Sequence, residues 1–214
     1  MLSECSNQRI YVETTVHGDM ATLWARSQDP RQHRRWDLSF TTIEPAGASR
    51  FRYAVRVLPG IETAGAGTPS GERSGGRAAA VLRFGSLFPL SLLGAGSRRR
   101  VPAGAPSRTG HDYDVRWGIA GRAADRVFRP MAGWGTAWSF DRLRLWVERG
   151  ITPEQALRNA LADTGVRVAA VGLAAARCGR LAAVATALVA LALPPSPRTP
   201  AARRCLRRRA ERMT

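Results

Sequence analysis

The chain has 214 residues, of which 44% are hydrophobic and 23% are charged, as in an ordinary globular protein with one sizeable core. The formal net charge is +17, and all 33 basic residues are arginine. Residues 1–50 are neutral, whereas residues 151–214 hold eleven arginines against three acidic residues. This basic region can attract anionic lipid or nucleic acid, and the alternative is a solvated tail without a partner.

The cysteines and histidines exclude several classes of protein. Three cysteines lie far apart: Cys5, Cys178 and Cys205. Such a sparse, odd set argues against a disulfide framework and a structural zinc site. Three histidines show no metal-ligand spacing: His17, His33 and His111. His33 lies beside Arg34 and Arg35 on a short helix, and we expect it to be exposed. We therefore predict no metal and no cofactor. Residues 1–13 lack the apolar core of a secretory signal, so we expect a cytoplasmic protein, with membrane association left open.

The first elements have clear local signals. Residues 10–16 alternate between apolar and polar types at the period of a strand. Asp19 is a suitable N-cap for a helix over 20–27, and Asp29-Pro30 is typical of the start of a second short helix that ends at Trp36.

Several strands are predicted next. Residues 50–58 alternate cleanly, with Phe51 and Tyr53 on one face and arginines on the other, which indicates a sheet with one buried face. Residues 59–76 are mostly Gly, Ser, Thr and Pro, and they predict a long loop. The other segments with strand character are 38–43, 78–84, 97–101 and 111–118, and residues 87–93 predict an edge strand or a loop.

A long helix follows the strands. Apolar residues recur at helical spacing over 119–150, and Pro130 should bend this helix. Arg142, Arg144 and Arg149 are suitably placed for its negative C-terminal end. The order of elements predicts an α+β fold over residues 1–150, in which the long helix covers the apolar face of an antiparallel sheet.

The remaining residues predict an appendage. Thr152-Pro153 opens another helix, and residues 151–193 form an Ala-rich helical region. Its uninterrupted apolar part, residues 181–193, is 13 residues long, whereas a membrane-spanning helix needs about 20. It could pack on the domain, pair with another subunit or lie on a membrane surface. Residues 194–214 are rich in Arg and Pro and predict a disordered tail.

Two blocks resemble a known family. Tyr11-Val-Glu-Thr-Thr-Val, Leu23-Trp24, Asp29-Pro30 and Trp36-Asp37 together resemble the opening of the SRPBCC superfamily, the START-like and polyketide cyclase/dehydrase-like helix-grip proteins. Tyr113-Asp-Val-Arg-Trp-Gly118, Phe128-Arg-Pro130 and Trp138-Ser-Phe-Asp-Arg-Leu-Arg-Leu-Trp146 resemble the last strand and closing helix of a bacterial subgroup of unassigned activity. The resemblance covers about residues 8–160 and departs from the family pattern around residues 94–108.

The resemblance implies a curved antiparallel sheet around a long C-terminal helix, with a cavity between them for a lipid or a polyketide-like molecule. The leading hypothesis is binding of such a ligand without catalysis. Aromatic and apolar residues of the sheet and the closing helix would line the cavity: Trp36, Phe51, Tyr53, Phe84, Tyr113, Trp117, Met131, Trp134 and Trp138. The alternative is that these residues only fill the core.

Two other functions stay open. One is an enzyme of the polyketide cyclase/dehydrase kind, although the sequence shows no catalytic triad and no GxSxG motif. The other is a basic adaptor that contacts an anionic membrane surface or nucleic acid through the C-terminal tail, although no nucleic-acid-binding motif is present. The sequence does not indicate an oligomeric state.

Overall fold

A computed structural model describes residues 10–38, 40–47, 50–58, 61–74, 77–86, 96–100, 107–115 and 125–205. The strands within these ranges are β1 (Ile10–Val16), β2 (Thr42–Pro45), β3 (Phe51–Leu58), β4 (Ile61–Ser74), β5 (Arg77–Ser86), β6 (Gly96–Arg100) and β7 (Ser107–Val115). The helices are α1 (Met20–Gln28), α2 (Pro30–Trp36), α3 (Asp125–Arg149), α4 (Pro153–Cys178) and α5 (Arg180–Ala192), and a 3₁₀ turn (Ala202–Arg204) follows them.

Three helices begin where the capping residues predict. The Asp19 carboxylate accepts a hydrogen bond from the Thr22 backbone N–H at 2.8 Å, and Asp29 accepts one from the Arg31 N–H at 2.9 Å. The Thr152 hydroxyl accepts a hydrogen bond from the Gln155 N–H at 3.2 Å. Each cap satisfies a backbone donor that the first helical turn leaves unpaired, so these starts depend on local chemistry alone.

The seven strands form one antiparallel sheet in the order β1-β7-β6-β5-β4-β3-β2. Helices α1 and α2 lie in the connection between β1 and β2, and α3 lies against β1. The fold is therefore α+β, as predicted. Helix α3 runs through Pro130, so the proline lies inside the helix.

Strand β4 occupies a segment for which the sequence predicts a loop, and that prediction is wrong. Residues 61–74 pair with β3 on one side and with β5 on the other. Phe51, the first residue of β3, pairs with Gly67, so Pro69 lies where β4 continues beyond β3. A proline is tolerated at such an edge position. The glycine-rich composition of residues 61–74 does not predict a strand, because the main-chain hydrogen bonds that stabilise β4 come from the neighbouring strands β3 and β5.

The other strand boundaries differ less. Strand β2 begins at Thr42, later than the predicted start at 38, and β7 begins at Ser107, earlier than the predicted start at 111. The short strand predicted at 97–101 is present as β6. The segment 87–93, predicted as an edge strand or a loop, lies outside the described residues.

The core lies between β1, the two short helices and α3. Its largest fully buried apolar residues come from all of these elements: Val12, Val16, Leu23, Trp36, Phe140, Leu143 and Leu145. Burial of one such side chain stabilises the fold by about 1.5–3 kcal/mol. Contacts between β1 and α3 therefore fix the helix on one face of the sheet.

Part of the C-terminal tail packs on this core. The buried carboxylate of Asp141 on α3 accepts hydrogen bonds from the Ala201 backbone N–H at 2.8 Å and from the Arg204 guanidinium at 2.9 Å. Residues 199–202 and Cys205 are buried. The predicted disorder is therefore wrong for residues 199–205, because a buried acid binds them, whereas 206–214 lie outside the described residues.

Candidate ligand-binding site

The register of the sheet aligns two of the predicted ligand residues, Phe51 and Phe84, in one row. Phe51 pairs with Gly67, Gly67 with Phe84, Phe84 with Gly96, and Gly96 with Val115. Directly opposed residues of an antiparallel sheet belong to the same face. Glycine therefore alternates with larger residues across the row, and two of its five positions have no side chain.

A second row shows which face this is. Tyr113 pairs with Ile10 and His111 pairs with Val12. Positions two apart on a strand share a face, so Val12 and Val115 lie on the same side of the sheet. Val12 is fully buried in the core cluster with residues of α3. The row with the two glycines therefore belongs to the face that α3 covers.

Aromatic residues close one end of this face. Trp36 stacks on Phe140 with ring centroids 5.8 Å apart, and Phe40 meets Tyr53 edge to face at 5.7 Å. The Trp36 indole N–H donates to the Arg26 carbonyl at 2.9 Å. Trp36, Phe51 and Tyr53 are all buried, so three of the predicted ligand residues form a packed wall.

A buried histidine supports this wall. Although the sequence suggests an exposed position beside Arg34 and Arg35, His33 is buried against the Trp36 ring, with centroids 4.6 Å apart. Its Nδ1 lies 3.0 Å from the Ser27 carbonyl oxygen and its Nε2 lies 2.9 Å from Asp37 Oδ2. His33 and Asp37 thus form a buried hydrogen-bonded pair within α2 and its C-cap.

Arg142 joins the wall to the helices. Its guanidinium donates to the carbonyls of Arg35, Trp36 and Pro153, at 3.0, 3.2 and 3.0 Å. It therefore binds the C-terminal end of α2, whereas the sequence suggested the end of its own helix. Burial lowers the pKa of Arg142 from its usual value. Its Nε has no hydrogen-bond partner among the described residues, and its charge lies 5.2 Å from the centre of the Trp138 ring.

Two other predicted residues lie at a separate place. Trp134 and Trp138 stack with centroids 6.5 Å apart and line an apolar groove of about 920 Å³. The opposite walls come from α4, α5 and the C-terminal segment, with Val168, Val171 and Leu191 among the lining residues. Trp138 is buried, whereas Trp134 is 52% exposed. Sequence reasoning missed this groove because it depends on how α4 and α5 fold back beside α3.

The structure thus divides the predicted ligand residues into groups. Trp36, Phe51 and Tyr53 come together at the wall, and Trp134 and Trp138 line the groove. Met131 is exposed on α3. Of the remaining three, Phe84 belongs to β5 and Tyr113 to β7, and Trp117 lies outside the described residues.

The two described cysteines differ in environment, and we predict that they differ in reactivity. Burial raises the pKa of the Cys205 thiol to about 12, and its Sγ donates to the Ala137 carbonyl at 3.2 Å. Cys178 is exposed at the end of α4. Because the thiolate is the form that reacts, iodoacetamide at neutral pH should label Cys178 and leave Cys205 unmodified. Peptide mass spectrometry measures both, with the urea-unfolded protein as the control in which Cys205 also reacts. Equal labelling of the two in the native protein would contradict the packing of the C-terminal segment.

The described residues lack two further kinds of feature. No cluster of three or more His, Cys, Asp or Glu side chains in them could hold a metal ion. None of the helices in the ranges given above combines the length and the apolar character that crossing a membrane requires.

Comparisons with known proteins give one sequence relative and several structural neighbours. No family model matches the chain. The "Uncharacterized membrane protein YndG" of Bacillus subtilis (strain 168) is 38% identical over an alignment of 165 positions that covers 71% of this chain. The match spans 62% of the length of that relative.

Among solved structures, a conserved protein from Geobacillus kaustophilus superposes with a TM-score of 0.52 over 65% of this chain and 95% of its own, at 9% identity. Protein Ms6760 from Mycobacterium smegmatis has a TM-score of 0.47 and 11% identity over 68% of this chain and 94% of its own. The likeness to the Geobacillus protein concerns the fold alone. Together with the strand order and the position of α3, it identifies a helix-grip-like α+β fold.

Proposed function

We propose that this protein binds a small hydrophobic molecule, such as a lipid or a polyketide-like compound, between the sheet and α3, and that it belongs to the SRPBCC superfamily. The observation that carries the proposal is the row Phe51-Gly67-Phe84-Gly96-Val115 on the face that α3 covers. If the side chains of this row served only to pack the core, branched and aromatic residues would be favoured at all five positions. The two glycines have no side chains, and they therefore leave room for a ligand between the sheet and α3.

The wall of aromatic residues supports the same proposal. The rings of Trp36, Tyr53 and Phe140 are packed at the β2–β3 end of the sheet, so this end is closed. The glycine positions lie on β4 and β6, further along the sheet. A ligand there would meet apolar surface on the sheet and on α3, and an apolar site with few polar groups is typical of pockets that bind hydrophobic molecules. We propose binding rather than catalysis, because the glycine row provides room and apolar surface for a ligand and includes no residue suited to catalysis.

A large side chain in place of a glycine of this row should prevent the ligand from binding. We predict that Gly67→Leu lowers the amount of bound molecule at least about tenfold, because a side chain forced into an occupied apolar site costs about 1–3 kcal/mol. The protein is purified from its native host, extracted with organic solvent and analysed by mass spectrometry. Ala66→Leu is the matched control, since Ala66 is the preceding residue of β4 and is exposed. Circular dichroism checks that both variants are folded.

Two outcomes would contradict the proposal. Equal recovery of the molecule from the Gly67→Leu and Ala66→Leu proteins would show that the glycine row is not the site. Conversion of the recovered molecule to a product of different mass, on incubation with the wild-type protein, would favour the cyclase/dehydrase-type enzyme over a binding protein.

A further inference from the structure

Helix α5 has its large apolar residues on the outside. Leu181, Val184, Leu188 and Leu191 recur at helical spacing and are 88%, 58%, 62% and 82% exposed. The partly buried residues of this helix are all small: Ala182, Ala183, Thr186, Ala187 and Ala190. A surface helix of a globular protein has the opposite arrangement, with its large apolar residues toward the core. The outer stripe of α5, defined by these four large residues, therefore needs a partner.

The outer stripe belongs to a rigid hairpin. Helix α5 packs along α4 after a turn at Gly179, whose φ of +85° favours glycine. Arg167 on α4 pairs with Asp163 at 2.9 Å, and it donates to the carbonyls of Ala190, Leu193 and Pro194 at the end of α5. Three large apolar residues of α4 are exposed as well: Val166, Val168 and Leu173. The contacts of Arg167 that join α4 to the end of α5 lie within the hairpin. The outer stripe of α5 is therefore available to contact another molecule.

The charges of α5 and of the last part of α4, from residue 164 onward, have one sign. Between residues 164 and 193 the sequence has no acidic residue, and its three charged residues are arginines. Arg167 is engaged by Asp163, whereas Arg177 and Arg180 flank the turn at Gly179 and are exposed. The outer stripe is apolar and has positive charges beside it. An anionic bilayer has an apolar interior and negatively charged head groups, so it complements both features.

We propose that the outer stripe of α5 inserts into the interface of a membrane that contains anionic lipid. Thirteen residues of helix extend about 20 Å, whereas the hydrocarbon core is about 30 Å thick, so α5 lies along the interface rather than across it. Trp134, half exposed beside Leu191 and Leu193 in the groove, adds an aromatic residue of the kind found at membrane interfaces. A second copy of the chain would meet the stripe with the same basic border and no acidic partner for it.

Vesicle sedimentation tests the proposal. The full-length protein is mixed with vesicles of phosphatidylcholine alone, or with vesicles of equal parts phosphatidylcholine and phosphatidylglycerol. We expect binding to the anionic vesicles and at least about tenfold weaker partitioning of the Leu181→Ser, Leu188→Ser double variant, because two exposed leucines lose their transfer into the bilayer. Leu38→Ser is the matched control: Leu38 is a 49% exposed leucine beside α2, and we expect its replacement to leave partitioning unchanged.

A second variant tests the contribution of the two exposed arginines to membrane binding. Arg177→Gln with Arg180→Gln should reduce partitioning to the phosphatidylglycerol vesicles by about tenfold, as expected for two arginines near an anionic surface. Unchanged partitioning of the Leu181→Ser, Leu188→Ser protein would assign membrane binding to another basic segment and overturn the proposal. So would failure to bind either kind of vesicle. A dimer in analytical ultracentrifugation that the leucine replacements dissociate, without vesicle binding, would identify a second copy as the partner.

Discussion

Replacement of Asp141 by alanine is expected to lower the free energy of unfolding by about 3 kcal/mol, because it removes the buried acid that pairs with Arg144 and Arg204 and leaves the Ala201 backbone N–H without this acceptor. The Asp141 carboxylate is fully buried. It accepts from the Arg144 Nε at 2.7 Å, the Arg204 Nη1 at 2.9 Å and the Ala201 backbone N–H at 2.8 Å. Urea denaturation followed by circular dichroism measures the change. Residues 199–205 should also separate from α3, so trypsin should cleave at Arg203 and Arg204 in the variant sooner than in the wild type.

Asp163→Ala is the matched control for this prediction. Asp163 pairs with Arg167 one helical turn away, and both side chains are about one quarter exposed. Such pairs contribute between 0 and about 1 kcal/mol. If the two variants lost the same small amount of stability, and trypsin cleaved them at the same rate, Asp141 would not hold the C-terminal segment.

Replacement of Trp36 by alanine is expected to lower the free energy of unfolding by about 3–5 kcal/mol. The side chain is 1% exposed, stacks on Phe140 and donates its indole N–H to the Arg26 carbonyl. Its removal opens a cavity where α2 meets α3 and leaves the Arg26 carbonyl without this donor. Urea denaturation measures the loss.

Trp134→Ala makes the same chemical change at the outer groove. Trp134 is half exposed and stacks on Trp138, so we expect a loss below about 1 kcal/mol. A comparable loss at the two positions would show that the groove is as tightly packed as the core. It would then weaken the assignment of Trp134 to a surface that meets a membrane.

The consequences for function differ between the two tryptophans. A destabilised Trp36 variant that still retains its hydrophobic molecule would place the ligand away from the aromatic wall, over the glycines of β4 and β6. Trp134→Ala should leave that ligand in place, because Trp134 lines the groove beside α4, α5 and the C-terminal segment and is not one of the wall residues. The proposed ligand site and the proposed membrane surface can therefore be tested independently.

Local signals in the sequence determined much of the fold. Asp19, Asp29 and Thr152 cap helices where predicted, because a capping side chain binds backbone donors within three residues of itself. The alternation of residues 50–58 predicted β3 and its buried residues Phe51 and Tyr53, because a strand turns successive side chains to opposite faces. These features need no information from distant parts of the chain.

Tertiary contacts decided the rest. Strand β4 has a composition typical of a loop, and it is a strand because β3 and β5 supply its main-chain hydrogen bonds. His33 and Arg142 were expected at exposed or helix-end positions, and they are buried because Asp37 and the carbonyls of α2 satisfy their donors. The outer stripe of α5 is exposed only because small residues bring that helix against α4. The composition of a segment and the spacing of its apolar residues show which side chains it is able to bury. The elements that pack beside that segment in the folded protein decide which of those side chains are buried.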